Sequence, residues 1–226
     1  MSELPFQGSR TKLERATQFI EEVRAEELKF AGDDPLSAWG QEIDGGVSLT
    51  LSWKGAGFIP GAIVGDCIHN LRTALDLMAS ELARLNEKAD KNVYFPFAAS
   101  EELFDDAIKS KNFHKCGNDS VELLKTFAPY KGGNEHLRAI HDLDIADKHT
   151  ALILTAANQD FEIDQEVVLF PHACTRLDLK LKSCQFIFPN EGPLGGSLLI
   201  ETLENLVQLV DGVIEAFARM VALRRI

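Results

Sequence analysis

Apolar residues recur along this chain at two periods, and each change of period marks off a part of it. In RTKLERATQFIEEVRAEELKF, residues 10–30, Leu13, Ala16, Ile20, Val23 and Phe30 fall at helical spacing, with Glu27 on the same stripe. Charges fill the other positions, so the pattern predicts a helix with a narrow apolar face. GDDP at 32–35 ends it. Alternation in VSLTLSW behind Asp44-Gly45-Gly46 predicts a hairpin over about 39–53. Pro60 suits the first turn of a helix. From there Val64, Ile68, Leu71, Leu75, Met78, Leu82 and Leu85 draw one stripe to about residue 87. The turn-rich NVYFPFAASEELF leads to short helices expected over 101–110 and 119–127, with a helix start at Ser100. Pro129 to Gly133 breaks the chain, and Asn134 caps a helix running to about 149.

Beyond residue 150 the period shortens. ALILTAA, EVVLF and TRLDLKLKSCQFIF, within 151–188, predict strands. Leu177, Leu179 and Leu181 alternate with Asp178, Lys180 and Lys182, which leaves one face wet. A last helix over 197–224 carries Leu199, Leu203, Leu206, Val210, Val213, Phe217 and Met220 in steps of four and three. Val207, Leu209, Ile214 and Val221 widen its stripe. So broad a stripe belongs at the centre of a core; the alternative is a seam joining two copies into a homodimer. Helices and strands are segregated, which argues against a doubly wound parallel sheet. The expected fold is α+β, mainly α, in a single domain of residues 1–226. About four long helices form a bundle, about 10–30, 60–87, 134–149 and 197–224. A small antiparallel β-sheet comes from about 39–53 and 151–188.

Composition narrows the classes. Of the 226 residues 45% are apolar and 26% charged, as in a folded domain with a well-buried core. No apolar run reaches the ~20 residues that span a bilayer. MSELPFQGSR lacks the basic and apolar regions of a secretory signal, so a cytoplasmic location is expected. The net charge of −12 is spread along the chain. It disfavours broad binding to RNA or DNA, which needs a basic surface to release counterions, and it repels anionic membranes. Cysteines 67, 116, 174 and 184 show neither metal-knuckle nor disulfide spacing; free, mostly buried thiols are expected. The Gly-rich turns lack a phosphate-loop pattern, and there is no Gly-x-Ser-x-Gly elbow.

Candidate chemistry concentrates in GDCIHNLRTALDLM, 65–78, and DIADKH, 144–149. On a helix, His69, Arg72 and Asp76 share a face, with Asp66 and Thr73 nearby; Val64, Ile68, Leu71 and Leu75 point the other way. Alone, that is a solvated face with an Arg72–Asp76 pair at i,i+4. The second segment alters the picture. Leu137, Ile140, Leu143 and Ile145 set an apolar arc, and His141 and Asp144 fall inside it, with Lys148 at i+4 from Asp144. Glu135, Arg138, Ala139 and Asp142 make the wet side. A lone buried carboxylate costs several kcal/mol unless it is paired, so Asp144 needs Lys148, Arg72 or His69. The expectation is a polar cluster of His69, Arg72, Asp76, Asp144, Asp147, Lys148 and His149 between two helices. Such a cluster is either a functional site or a salt-bridge network that fixes helix register.

The GD-x-x-HNLR-x-ALD helix, the FPF segment and L-x-x-LD-x-x-DKH resemble, over about residues 60–155, a widespread family of uncharacterised bacterial and phage proteins. That resemblance implies no particular activity. Asp144 and His149, in Asp-x4-His, are more distantly similar to the Arg-x4–6-His motif of all-helical HEPN domains, often dimeric ribonucleases. Here Asp stands in the place of Arg, and Arg72 would have to supply the cation. The resemblance implies His149 or His69 as base on a ribose 2′-hydroxyl and Arg72 or Lys148 against the developing phosphorane charge. Asp144 or Asp76 would orient the bases. A further alternative is a metal bundle, from Asp66-x-x-His69 and His141-x-x-Asp144 one turn apart. The residues favour a binding or structural module over a ribonuclease, and a ribonuclease over a metal site, with no cofactor implied.

Overall fold

The structure, a computed structural model, describes residues 5–32, 36–44, 46–53, 60–149, 156–163, 175–177, 179–188, 190 and 192–224. Its elements run α1 (Gln7–Gly32), β1 (Leu36–Ile43), β2 (Gly46–Trp53), α2 (Gly61–Leu85), α3 (Phe104–Ser110), a 3-10 turn (Phe113–Cys116), α4 (Asn118–Phe127), α5 (Glu135–His149), β3 (Ala156–Ile163), β4 (Thr175–Leu177), β5 (Leu179–Ile187) and α6 (Leu199–Arg224). The fold is rich in α-helix. Helix α1 lies against α2 and α6, and α2 also meets α5 and α6.

The apolar stripes account for these contacts. Val64, Ile68, Leu71, Leu75, Met78 and Leu82 of α2 are fully buried. So are Leu199, Leu203, Leu206, Val210, Val213, Ile214 and Phe217 of α6, which places that stripe inside the chain's own core. Leu85, at the end of α2, is exposed instead. Pro60 occupies the N-cap rather than the first turn. Helix α1 begins three residues before its sequence pattern. Phe6, buried at a left-handed φ of 65°, donates its N–H to Glu81 Oε1 at 2.9 Å; burial and that bond hold a backbone conformation disfavoured for an aromatic residue. Asn134 caps α5 as expected, its Oδ1 accepting from Leu137 N at 3.0 Å.

Among the described residues the strands pair in two separate sheets. β1 pairs antiparallel with β2, Ile43 opposite Gly46, and with β4, giving the order β2-β1-β4. β3 pairs antiparallel with β5. Neighbouring pieces of the run TRLDLKLKSCQFIF thus feed different partners, because alternation identifies a strand but not its mate. The strand segments expected at 151–155 and 166–170, and Cys174, lie outside the described residues. Glu27, the one charged residue on the α1 stripe, accepts the N–H of Phe186 at 2.5 Å, and Phe186 stacks obliquely on Phe30. Among the described residues no helix is long and apolar enough to cross a membrane.

Candidate functional site

Two polar groups lie along α2 where it faces α5 and the segment Val93–Ala98. The first centres on Arg72, which is 8% exposed. Its Nη1 donates to Asp76 Oδ1 at 2.7 Å, its Nη2 to the carbonyl of Phe95 at 3.3 Å, and its guanidinium lies 4.6 Å from the centre of the Phe97 ring. Asp76 Oδ1 also accepts the N–H of Phe95 at 2.9 Å. Arg72 and Asp76 therefore satisfy both backbone groups of Phe95 and tie the FPF segment to α2. Burial raises the Asp76 carboxyl above its ordinary range; Arg72 and the Phe95 N–H pull it down, and Asp144 pushes it up.

The second group centres on Asp144, which is 5% exposed. His69 Nδ1 lies 2.9 Å from its Oδ1, and Lys148 Nζ donates to its Oδ2 at 2.8 Å. The side chains of His69 and Lys148 remain 46% and 43% exposed, so the cluster opens to solvent on their side. Asp144 carries no proton to donate when ionised, so the Nδ1–H of a neutral His69 points at it, and Nε2 is left as an acceptor. Thr73 Oγ1 lies 3.5 Å from that nitrogen.

The predicted cluster is thus divided. His69, Asp144 and Lys148 come together across α2 and α5. Arg72, expected among the partners of Asp144, bonds Asp76 and the loop instead. Asp147 makes no ion pair with the others: its carboxyl presses on Gly65, where a Cβ would lie 2.5 Å from its Oδ1, and that oxygen is buried without a partner. The side chain of His149 lies outside the described residues. On α5, Ala139, expected on the wet side, is fully buried, whereas Ile145, expected on the apolar arc, is exposed. The buried side of this helix thus runs through Leu137, Ala139, Ile140, Leu143 and Asp144.

Periodicity missed Gly65, Phe95 and Phe97. The only signal for them was the GD at the head of the HNLR helix and the FPF in a segment read as a plain connection. His141 was visible on the apolar arc, but not its role. It stacks on Phe97 at 4.8 Å between centroids and 6° between planes, with Nδ1 buried and unpartnered. Burial, then Arg72 and Arg138, lower its pKa to about 4.

Other chemistry finds little support. Among the described residues no group of three or more His, Cys, Asp or Glu is arranged to hold a metal ion; Asp66 faces solvent and His141 faces Phe97. Cys67 and Cys116 are free and buried, with thiols pushed up to about 12, chiefly by burial. Neither forms a thiolate at neutral pH. Comparison of the chain with family models, curated proteins and solved structures returns no match.

Proposed function

We propose that this chain is a helical binding module whose site is the α2–α5 junction around Asp144. We group it with the uncharacterised bacterial and phage proteins that its GD-x-x-HNLR-x-ALD and DKH segments resemble. In this reading the long helices form one bundle, the strands form a small antiparallel layer against it, and the protein works in the cytoplasm.

One observation carries the reading. Asp144 is sealed, yet both groups that neutralise it reach solvent. Sealing the partners as well would add their desolvation to that of Asp144; here the outer parts of His69 and Lys148 stay at the surface, within reach of a ligand. Thermal-shift screening of small polar metabolites against the parent and His69→Ala tests this. At least one chemical class is expected to raise the Tm of the parent and not of the variant. Asp144→Ala is expected to cost on the order of 1–2 kcal/mol, below the ~3–5 of a sealed pair because both partners are solvent-screened. A screen without a stabilising compound, together with an unchanged Tm for Asp144→Ala, would end the reading.

The Asp144–His69 contact also favours a second reading, a metal-independent ribonuclease of HEPN-like type. A carboxylate on Nδ1 leaves Nε2 as the base. His69 then takes the role rather than His149, and Lys148 rather than Arg72 faces the phosphorane, since the guanidinium is fully engaged. Cleavage of a mixed RNA pool in the presence of EDTA, lost in His69→Ala, is the expected result; an intact pool rejects it.

A further inference from the structure

With 35 acidic and 23 basic residues, the chain has a carboxylate to spare for every cation. The fold uses them. Every arginine on the described helices except Arg219 is paired with a carboxylate. Lys29, Lys109, Lys125 and Lys148 are paired as well. Four lysines break the pattern in one place. Lys88 and Lys91, in the turn after α2, and Lys111 and Lys115, at the 3-10 turn, have no carboxylate partner among the described residues. Asp90 and Asp106, close to them in sequence, are taken by Arg84 and Lys109. Within residues 86–94 and 111–117 that leaves Glu87 as the opposing charge.

Hydrogen bonds join these two stretches into one surface. Asn86 Nδ2 donates to the carbonyl of Lys115 at 2.9 Å, Asn112 Nδ2 to that of Asn92 at 3.0 Å, and Tyr94 N to that of Lys111 at 3.1 Å. Lys115 Nζ reaches the carbonyl of Lys91 at 3.5 Å. Asn92 and Asn112 take left-handed φ values of 60° and 55°, which asparagine tolerates. Phe113, fully buried against Phe95 and Phe217, anchors the 3-10 turn. The lysines are thus presented from a fixed base. Tyr94, three residues after Lys91 and bonded to Lys111 through its N–H, is 45% exposed. Like charges this close act on a polyanion as a group, because screening at physiological salt sets in over ~8 Å.

We propose that this surface binds single-stranded nucleic acid, with the four lysines taking backbone phosphates and Tyr94 stacking on a base. A lysine meets phosphate as a point charge and needs no fixed bidentate geometry. An exposed ring in a basic field is what sequence-tolerant recognition of single strands uses. An acidic peptide would engage the lysines and leave Tyr94 without a role. The net charge of −12 confines the contact to this surface and makes it sensitive to salt. The proposal does not depend on the binding-module reading at Asp144, and either can fail without the other.

Fluorescence anisotropy of a labelled oligothymidylate of about 12 nucleotides, titrated with the full-length chain at low salt, tests this. DNA has no 2′-hydroxyl, so cleavage of the ribonuclease type cannot interfere. Saturable binding is expected, with log affinity falling against log salt at a slope of about −2.8 for four phosphate contacts. Lys91→Gln with Lys115→Gln is expected to halve that slope to about −1.4. Lys12→Gln with Lys131→Gln, which removes two lysines outside the surface, is expected to leave it unchanged. Tyr94→Ala is expected to weaken binding about tenfold and Tyr94→Phe to preserve it. The absence of saturable binding, equal slopes in the parent and the Lys91/Lys115 variant, or an equal loss in the Lys12/Lys131 variant overturns the proposal. Displacement of the probe by polyglutamate as effective as that by unlabelled oligothymidylate, with Tyr94→Ala binding like the parent, makes this a surface for acidic peptides and overturns it too.

Discussion

At the scale of residues, the Phe97 ring joins the chemistry of α2 to that of α5. It takes the Arg72 guanidinium at 4.6 Å and the His141 imidazole at 4.8 Å. Arg72 from α2, Arg138 on α5 and Lys111 after α3 all disfavour a charged His141, and Asp142 alone favours it. With a folded pKa of about 4 against an ordinary 6.5, the unfolded chain binds more protons between those values. Stability from this residue is therefore complete above pH ~6.5 and falls as the pH drops toward 4. Asp76, with its raised pKa, works in the opposite direction, so the informative quantity is the difference between parent and variant. His141→Phe keeps the stack and removes the proton. Its Tm is expected to fall less than the parent's between pH 7 and pH 4.5, by a few degrees, since a half-buried ring is partly screened. Parallel Tm curves for the two proteins would refute this account of His141.

The same residues show what the sequence could and could not reveal. An inward Asp144 with His69 and Lys148 on it was legible, because an ionisable group on an apolar arc requires a partner. The partner of Arg72 was not. Pairing with Asp144 and pairing with Asp76 satisfy the same helical spacing equally, and what decides between them is the backbone of Phe95, which no periodicity encodes. Asp147 was counted with the cluster on spacing alone; its carboxyl packs on Gly65 instead, where the absent side chain leaves room for it.

At the scale of elements, helix–helix approach depends on that glycine. A glycine inside a helix costs about 1 kcal/mol relative to alanine, so Gly65→Ala should stabilise α2 unless something occupies the space. Asp147 does. A double-mutant cycle separates the two effects. Gly65→Ala is expected to gain about 1 kcal/mol in an Asp147→Ala background, and to gain nothing or lose stability in the parent. Equal effects in both backgrounds, measured by urea unfolding, would show that the two side chains do not compete. Helix positions were legible throughout, because stripes such as Ile68–Leu71–Leu75 repeat over several turns. Strand partners were not, since β4 and β5 derive from one alternating run. The start of α1 was not legible either. Phe6 precedes the stripe and is positioned by Glu81, a contact 75 residues distant in sequence.

At the scale of the whole molecule, α6 decides whether the long apolar stripe supports one chain or joins two. Leu206, Val210, Val213 and Phe217 are fully buried within a single chain, and Phe217 meets Phe113 and Phe127. Arg24–Glu204 and Arg10–Glu215 tie the helix to α1, and Arg224 bonds Asp119 and Ser120 at the start of α4. A residue so placed contributes to folding rather than association. Leu206→Ala is expected to cost about 2–5 kcal/mol through lost burial and a residual cavity. In a chain of this size that lowers the Tm by roughly 5–15 °C. The loss should be the same at 1 and at 100 times a given protein concentration, since no dissociation is coupled to it. A Tm that rises with concentration in the parent, and a Leu206→Ala variant that is monomeric yet equally stable, would instead make the stripe a seam between copies. Outer α6 residues such as Gln208 and Asp211 would then remain the surface left to solvent, and the core would have to draw its stability from α1, α2 and α5 alone.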